Sequence, residues 1–238
     1  MCCGILVNEE NIDSTIWLLH VLPDFRNLGI GTLLYQRAIK NIKGIWNAGI
    51  GTGYWWQGAP LGCGDDFLGK RGFNWSWTSI DMILSLDEWT GPNVNDGACI
   101  GNLRPHEGSS LISMLEAEKD LSGWTGFYNK MIQDLEYDKI LVARAGNIIV
   151  GCAMILEEKS IRWHGNINGK VGGIGCIGVR EISREQGIGT SLVSAVNDRL
   201  KSSGYTHSYV GYTWLENWYG KMGYEVFCRQ RMGHGFFA

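Results

Sequence analysis

The sequence predicts an α/β protein arranged as two tandem domains, and three observations carry that expectation. A turn holding one arginine and two glycines, set between an apolar strand and an amphipathic helix, occurs twice at an offset of 158 residues. Apolar runs of strand length alternate along the chain with segments of helical periodicity. One stretch, Thr90-Gly-Pro-Asn-Val-Asn-Asp-Gly97, gathers turn-forming residues between two apolar strands and reads as a boundary. The domains are accordingly expected at 1–92 and 98–238.

In the first domain, residues 1–7 form a short strand and 14–22 a buried one that delivers the chain to Arg26. A helix follows and ends at Gly44, then a glycine-interrupted strand over 44–56. A loop containing Asp65 and Asp66 precedes Gly72-Phe73, and a last strand runs over 77–86. Adjacent acids in such a loop are ordinarily solvated turn residues, and the Trp55-Trp56 pair ordinarily fills a core. In the alternative reading, Trp55 and Asp65 line an acceptor cleft, indole stacking on a sugar and carboxylate holding hydroxyls or an ammonium.

The second domain opens with a strand over 99–103. Helices follow over 110–119, with Leu111, Ile112 and Leu115 on one face, and over 124–135, where Phe127, Met131 and Leu135 recur every four residues. A hairpin over 139–144 and 147–156 turns at Ala145-Gly146, and the central strand spans 171–180. His164, in the polar loop before it, reads as an exposed histidine, and His207 as structural. Leu192, Val193, Val196 and Leu200 continue as a helix to a C-cap at Gly204. A strand over 208–212, a short helix over 213–221 and final strands from Gly223 complete the chain.

The doubled turn is the chemically informative element. In the second domain it reads Val179-Arg-Glu-Ile-Ser-Arg184-Glu185-Gln186-Gly187-Ile188-Gly189-Thr190, and in the first Val21-Leu-Pro-Asp-Phe-Arg26-Asn-Leu-Gly29-Ile-Gly31-Thr32. The first N–H groups of a helix lack internal partners and carry the positive end of its dipole, so phosphate oxygens settle there. Glycines admit the ligand to the backbone, and arginine adds charge at the rim. We read the turn as a pyrophosphate cradle. Gly173-Ile-Gly175-Cys-Ile-Gly178 matches G-x-G-x-x-G in letters but lies inside a strand, and no phosphate loop ending in G-K-[ST] occurs.

With Trp218-Tyr219-Gly-Lys-Met-Gly223-Tyr224 about thirty residues downstream, this turn resembles the acetyl-CoA signature of the GNAT N-acetyltransferases. The first domain carries the matching Phe67-Leu68-Gly-Lys-Arg-Gly72-Phe73, so the resemblance extends over nearly the whole chain as a tandem GNAT protein. Gly211-Tyr-Thr-Trp214-Leu-Glu-Asn-Trp218-Tyr219 and Gly173-Ile-Gly-Cys-Ile-Gly-Val179 are similar to tandem glucosamine and glucosaminide N-acetyltransferases.

The resemblance implies mixed, mostly antiparallel central sheets flanked by helices, the first domain lacking the opening strand and two helices of a complete GNAT unit. It implies acetyl-CoA as donor, with no metal. Ile177, Gly178 and Val179 would pair with the pantetheine arm, and Arg184 to Thr190 would hold the pyrophosphate. Tyr219 is the implied general acid, and Trp214 a candidate acceptor contact. Glu216, one helical turn before Tyr219, is the candidate base, with a simple surface carboxylate as the alternative. Leu68 stands where Tyr219 would, so the first domain is expected to be chemically silent, and whether it binds CoA is open. The expected acceptor is a small amine, foremost the 2-amino group of glucosamine or a glucosaminide. Polyamine, aminoglycoside or protein amines, or a CoA-binding sensor without turnover, are the alternatives.

Composition narrows the partners. The 238 residues carry 45% hydrophobic content and a net charge of −3 with no long basic block, so neither nucleic acid nor an anionic membrane is an expected partner. Seven cysteines, an odd number without a C-x-x-C pair, are expected as reduced thiols in the cytoplasm. Eleven tryptophans suit a sugar acceptor. Oligomeric state is not legible.

Overall fold

The computed structural model describes residues 3–8, 14–40, 44–48, 59–62, 64–92, 97–161 and 164–237. Trp55, Trp56, Cys63 and Trp163 lie outside the described residues. In chain order the elements are β1 (Cys3–Asn8), β2 (Ser14–Val21), α1 (Ile30–Ile39), β3 (Gly44–Ala48), β4 (Ala59–Pro60), α2 (Asp65–Gly69) and β5 (Asn74–Ser85). After the boundary come β6 (Cys99–Asn102), α3 (Gly108–Ala117), α4 (Thr125–Gln133), β7 (Ile140–Ala145), β8 (Ile148–Leu156), β9 (Val171–Val179), α5 (Ile188–Ser202), β10 (His207–Thr213), α6 (Glu216–Gly220) and β11 (Glu225–Phe237).

Two units emerge, and they do not follow the linear halves. One comprises Met1–Asp81, Tyr212–Trp214 and Val226–Ala238, the other Met82–Gly211 and Leu215–Glu225. The division therefore differs from the expected 1–92 and 98–238. The physical reason is backbone pairing: β11 satisfies its N–H and C=O groups on β3 and β4, from His234↔Asn47 to Phe237↔Gly44 and at Gln230↔Pro60. A strand read from sequence as the close of the second domain belongs to the first unit.

In the first unit the strands run in the order β1-β2-β3-β11-β5. β1 is antiparallel to β2 and β2 parallel to β3. Tyr35 of α1 packs with Ala59, Leu68 and Phe73, so helix, short β4 and α2 share one apolar cluster.

In the second unit β6, β7, β8 and β9 form an antiparallel ladder, and β10 joins β9 in parallel. Helices α3 and α4 bury Leu111, Leu115 and Tyr128 against Ile140, Val142 and Cys152 of the ladder. Helix α5 buries Ile188, Leu192, Val193, Val196 and Leu200, a helical stripe whose burial contributes on the order of 10 kcal/mol toward holding it on the sheet. It ends as predicted at Gly204, at φ 76°, where Gly204 N–H donates to Lys201 O and Tyr205 N–H to Leu200 O. The start of α5 is thereby fixed at the end of β9.

Candidate active site

Arg180 leaves β9 through the 3-10 turn Glu181–Ser183 and the chain enters α5 at Ile188. Two residues in the left-handed region make this reversal: Glu185 at φ 63° and Gly187 at φ 84°. The first bond closing the helix runs from Ser191 N–H to Gly187 O at 3.0 Å. The N–H groups of Ile188, Gly189 and Thr190 precede that bond, so the helix geometry leaves them without intrahelical acceptors. A Cβ on Gly189 would lie 3.2 Å from the Trp218 ring, so glycine is what lets the turn seat on Trp218. The predicted passage from strand through a glycine turn into a helix is present, with three helix-start N–H groups at its end.

Arg184 is exposed at the turn and makes two contacts there. Its Nε donates to Val179 O at 3.0 Å and its Nη2 to Asp120 Oδ2 at 2.6 Å. The guanidinium thus clamps the end of β9 to the turn and is paired with a carboxylate. Gln186 Nε2 donates to Ile182 O at 3.4 Å, a contact inside the same turn. Cohesion of the cradle comes from these side chains.

Among the described residues, the strand entering this turn is unpaired on one side over its last part. Parallel pairing with β10 runs from His207↔Val171 to Val210↔Ile174 and stops there, although β9 continues to Val179. On its other side β9 stays paired with β8, through an irregularity between Cys152↔Gly178 and Met154↔Gly175. Cys176 sits at φ 42° in that irregularity, and Tyr128 Oη donates to its carbonyl at 2.8 Å. Ile177, Gly178 and Val179 therefore present a strand edge that continues into the helix start. The free edge and the cradle fit the extended arm and pyrophosphate of a CoA thioester.

Tyr219 is held beside this turn on α6. Its ring packs edge-on to Trp218 at 4.7 Å and Tyr224 at 5.4 Å, and it is 2% exposed. Burial, with a smaller contribution from Tyr224, raises its phenol above the ordinary value, so the hydroxyl keeps its proton at neutral pH. Glu216 opens α6 and is partly exposed. Tyr224 Oη donates to Asn197 Oδ1 at 2.9 Å and shares a 2.8 Å hydrogen bond with Ser208 Oγ, tying the aromatic group to α5 and β10.

The first unit repeats much of this geometry. Arg26 Nε donates to Val21 O at 2.9 Å, Asn27 and Gly29 lie at φ 61° and 80°, and a Cβ on Gly31 would lie 3.4 Å from the Phe67 ring. Leu68 is buried on α2 where the second unit has Tyr219 on α6. Arg71 adds a feature of its own, donating to Thr32 Oγ1 at 2.6 Å while lying over the Phe67 ring. Asp65 is not a solvated loop residue: it opens α2, is buried, and pairs with Arg231 at 3.6 Å. The turn signals around it concealed a partner from the far end of the chain.

Of the acceptor candidates, Trp214 is 68% exposed, with its ring edge-on to Trp77 at 5.9 Å, and Trp55 is outside the described residues. Tyr212 meets Trp77 at 5.0 Å, and its N–H donates to Asp81 Oδ1 at 3.0 Å. Sequence reasoning passed over Trp77, Tyr212 and Asp81, whose association depends on strand placement. His164 is exposed with Nδ1 2.7 Å from Ile161 O, and His207 Nδ1 lies 2.9 Å from Thr206 Oγ1. Both histidines have local roles. Among the described residues, no cluster of three or more His, Cys, Asp or Glu side chains could hold a metal ion, no helix is long and apolar enough to cross a membrane, and Cys99, Cys152, Cys176 and Cys228 are not joined in disulfides.

Comparison with known proteins follows the same lines. Residues 136–226 match the family described as Acetyltransferase (GNAT) domain. A glucosamine N-acetyltransferase region in a fungal multi-domain GH3 β-N-acetylglucosaminidase superimposes with a TM-score of 0.77 at 23% identity over 98% of this chain, which spans 31% of that protein's length. A GCN5-related N-acetyltransferase from Sphaerobacter thermophilus gives 0.71 at 17% identity, covering 98% of this chain and 76% of its own. A tandem GNAT protein from the clavulanic acid biosynthesis pathway gives 0.59 at 14%, covering 99% of this chain and 79% of its own. At these identities the likeness is one of fold. No curated protein matches the chain.

The fold is therefore α/β of the GNAT type, and residues 136–226 match the family's domain description. Domains of the matching family move an acetyl group from acetyl-CoA to an amine.

Proposed function

We propose that the chain acetylates the 2-amino group of glucosamine or a glucosaminide, using acetyl-CoA, and that it does so in the second of two tandem GNAT-like halves. The observation that carries the donor site is the unpaired edge of β9 beyond Ile174, which runs directly into the helix-start cradle. Acetyl-CoA supplies the activated acetyl group as a thioester. Backbone groups of Ile177, Gly178 and Val179 align the donor arm, and the N–H groups of Ile188 to Thr190 hold its pyrophosphate, with Arg184, Glu185, Gln186 and Gly187 shaping the turn.

Nucleophilic attack needs a neutral amine and a proton for the departing sulfur. Tyr219 keeps its proton and supplies it to the thiolate; Glu216 takes the amine proton, directly or through water. The first half, with Leu68 in place of a tyrosine, contributes structure rather than chemistry. The amino-sugar acceptor is supported by the exposed Trp214 and by the fold shared with the fungal glucosamine N-acetyltransferase region. A cytoplasmic setting is supported by the cysteines not joined in disulfides.

The test is thiol release from acetyl-CoA with glucosamine, a chitobiose-type glucosaminide, spermidine, an aminoglycoside and a lysine peptide as acceptors. Turnover concentrated on the two sugars is the expected result. Preference for spermidine, aminoglycoside or peptide overturns the acceptor, and tight CoA binding without turnover on any amine overturns the enzyme in favour of a sensor.

A further inference from the structure

The corner that holds Tyr219 is built twice in this chain, once with polar side chains behind it and once without. In each unit a five-residue helix, α6 or α2, is followed by a glycine of positive φ, Gly223 at 87° and Gly72 at 82°. The next residue then returns to the helix through its backbone. Tyr224 N–H donates to Tyr219 O at 3.3 Å, and Phe73 N–H to Leu68 O at 3.2 Å. A helix of little more than one turn does not hold its own shape in water, so the fixing of Tyr219 falls to its neighbours. Its ring neighbours are Trp218 and Tyr224.

Side chains distinguish the two corners. Behind Tyr219, Tyr224 Oη bonds to Asn197 Oδ1 at 2.9 Å and to Ser208 Oγ at 2.8 Å. All three residues are buried, and among the described residues Asn197 Nδ2 has no hydrogen-bond partner. In the first unit Phe73 stands at the position of Tyr224, and Ile39, at the same 158-residue offset as the two turns, stands at that of Asn197. Ile39 and Phe73 pack in one apolar cluster with Tyr35 and Leu68. The backbone corner therefore forms with apolar groups at those positions. A buried polar trio that leaves one donor bare costs stability that the first unit does not lose. The trio accompanies the tyrosine, and the apolar version accompanies the leucine, so its use lies with the Tyr219 hydroxyl rather than with the fold.

We propose that Tyr224 is the positioning residue for Tyr219: Asn197 and Ser208 fix the Tyr224 ring, and that ring sets where the Tyr219 hydroxyl points. The inference rests on Tyr219 as the acid of the proposed acetyl transfer. A ring held by apolar contacts alone can turn and slide against its neighbours. Two hydrogen bonds at its oxygen, from separate elements, fix its direction as well as its depth. Asn197 lies on α5, whose start forms the glycine turn, and Ser208 lies on β10, the parallel neighbour of β9. The trio thus ties the acid to the elements proposed to carry the donor. A proton donor acts only within hydrogen-bond reach of its acceptor, so a displacement of about 1 Å is felt in the rate.

The experiment measures kcat, the acetyl-CoA KM and the melting temperature of the full chain, with whichever amine of the acceptor panel the parent uses best. The variants are Tyr224→Phe and the triple change Asn197→Leu, Ser208→Ala, Tyr224→Phe, each made in the parent and in Tyr219→Phe. In the parent background both should lower kcat about ten-fold and leave the acetyl-CoA KM unchanged. Tyr224→Phe bares Asn197 and should lower the melting temperature, whereas the triple change removes the polar groups together and should restore it. A purely structural role would restore the rate along with stability. In the Tyr219→Phe background neither change should lower kcat further, because the group they position is gone. Parent-like kcat in the triple variant, or equal fold-losses in the two backgrounds, overturns the proposal, while a large loss in Tyr219→Phe itself leaves the acid standing. Parent-like kcat in Tyr219→Phe overturns the acid and the positioning role with it. If the triple variant does not fold, Tyr224→Phe in the two backgrounds decides by the same comparison.

Discussion

Replacing Tyr219 by phenylalanine separates chemistry from packing at the residue to which the reaction assigns a proton. The ring contacts with Trp218 at 4.7 Å and Tyr224 at 5.4 Å involve carbon edges and survive the change. Loss of one hydroxyl should therefore alter stability by no more than about 1.5 kcal/mol. Turnover should respond far more. A positioned general acid is worth about 10²- to 10⁴-fold, equivalent to about 3 to 5 kcal/mol of barrier. Because burial raises the Tyr219 phenol above its ordinary value, the hydroxyl is protonated across neutral pH, and the loss should be uniform from about pH 6 to 9. The assay is thiol release at saturating glucosamine, with kcat and the acetyl-CoA KM measured separately and a melting curve for each protein. A well-folded Tyr219→Phe protein with kcat within about three-fold of the parent would refute the assignment of Tyr219 as the acid.

Gly187 at φ 84° and Gly29 at φ 80° allow a matched comparison, since alanine at either position incurs about 1 to 2 kcal/mol of left-handed strain. Gly187→Ala should raise the acetyl-CoA KM about ten-fold while Gly29→Ala leaves it unchanged; equal effects at the two sites would argue against a silent first half. A pH test addresses the support of the second unit. The hydrogen-bonded Arg144 guanidinium lowers the Glu107 carboxyl from 4.5 to about 2. A carboxyl lowered on folding stabilises the protein above its unfolded value, and that contribution is lost as pH falls from 4.5 through 2. Glu107→Gln should lower the melting temperature at pH 7 and flatten its decline between pH 4.5 and 2, and an unchanged acid slope would exclude the ion pair as its source.

The legible parts of the site are those whose causes are local. Arg184, Gly187, Gly189 and the stripe from Leu192 to Leu200 lie within one turn and its helix, so residue type and 3.6-residue spacing specify them together. Element bounds followed with small shifts: the helix expected over 124–135 spans Thr125–Gln133, and the strand expected over 77–86 starts earlier, at Asn74. Asp65 went astray because its environment is non-local. Its turn-rich neighbours suggested a solvated loop, while burial and Arg231 came from β11, far along the chain.

The same division holds for function. By itself, the sequence determined the doubled arginine-glycine turn, the tyrosine in one half and the leucine in the other, because glycine, arginine and helix periodicity act through dihedral angles and neighbouring contacts. Only the tertiary structure decided where β9 parts from β10 after Ile174, which unit receives β11, and that Trp77 and Asp81 meet Tyr212 and Asp81 meets Cys228. Those outcomes depend on which backbone edges pair, and strand pairing is chosen by the whole set of hydrogen bonds and buried faces rather than by any one segment.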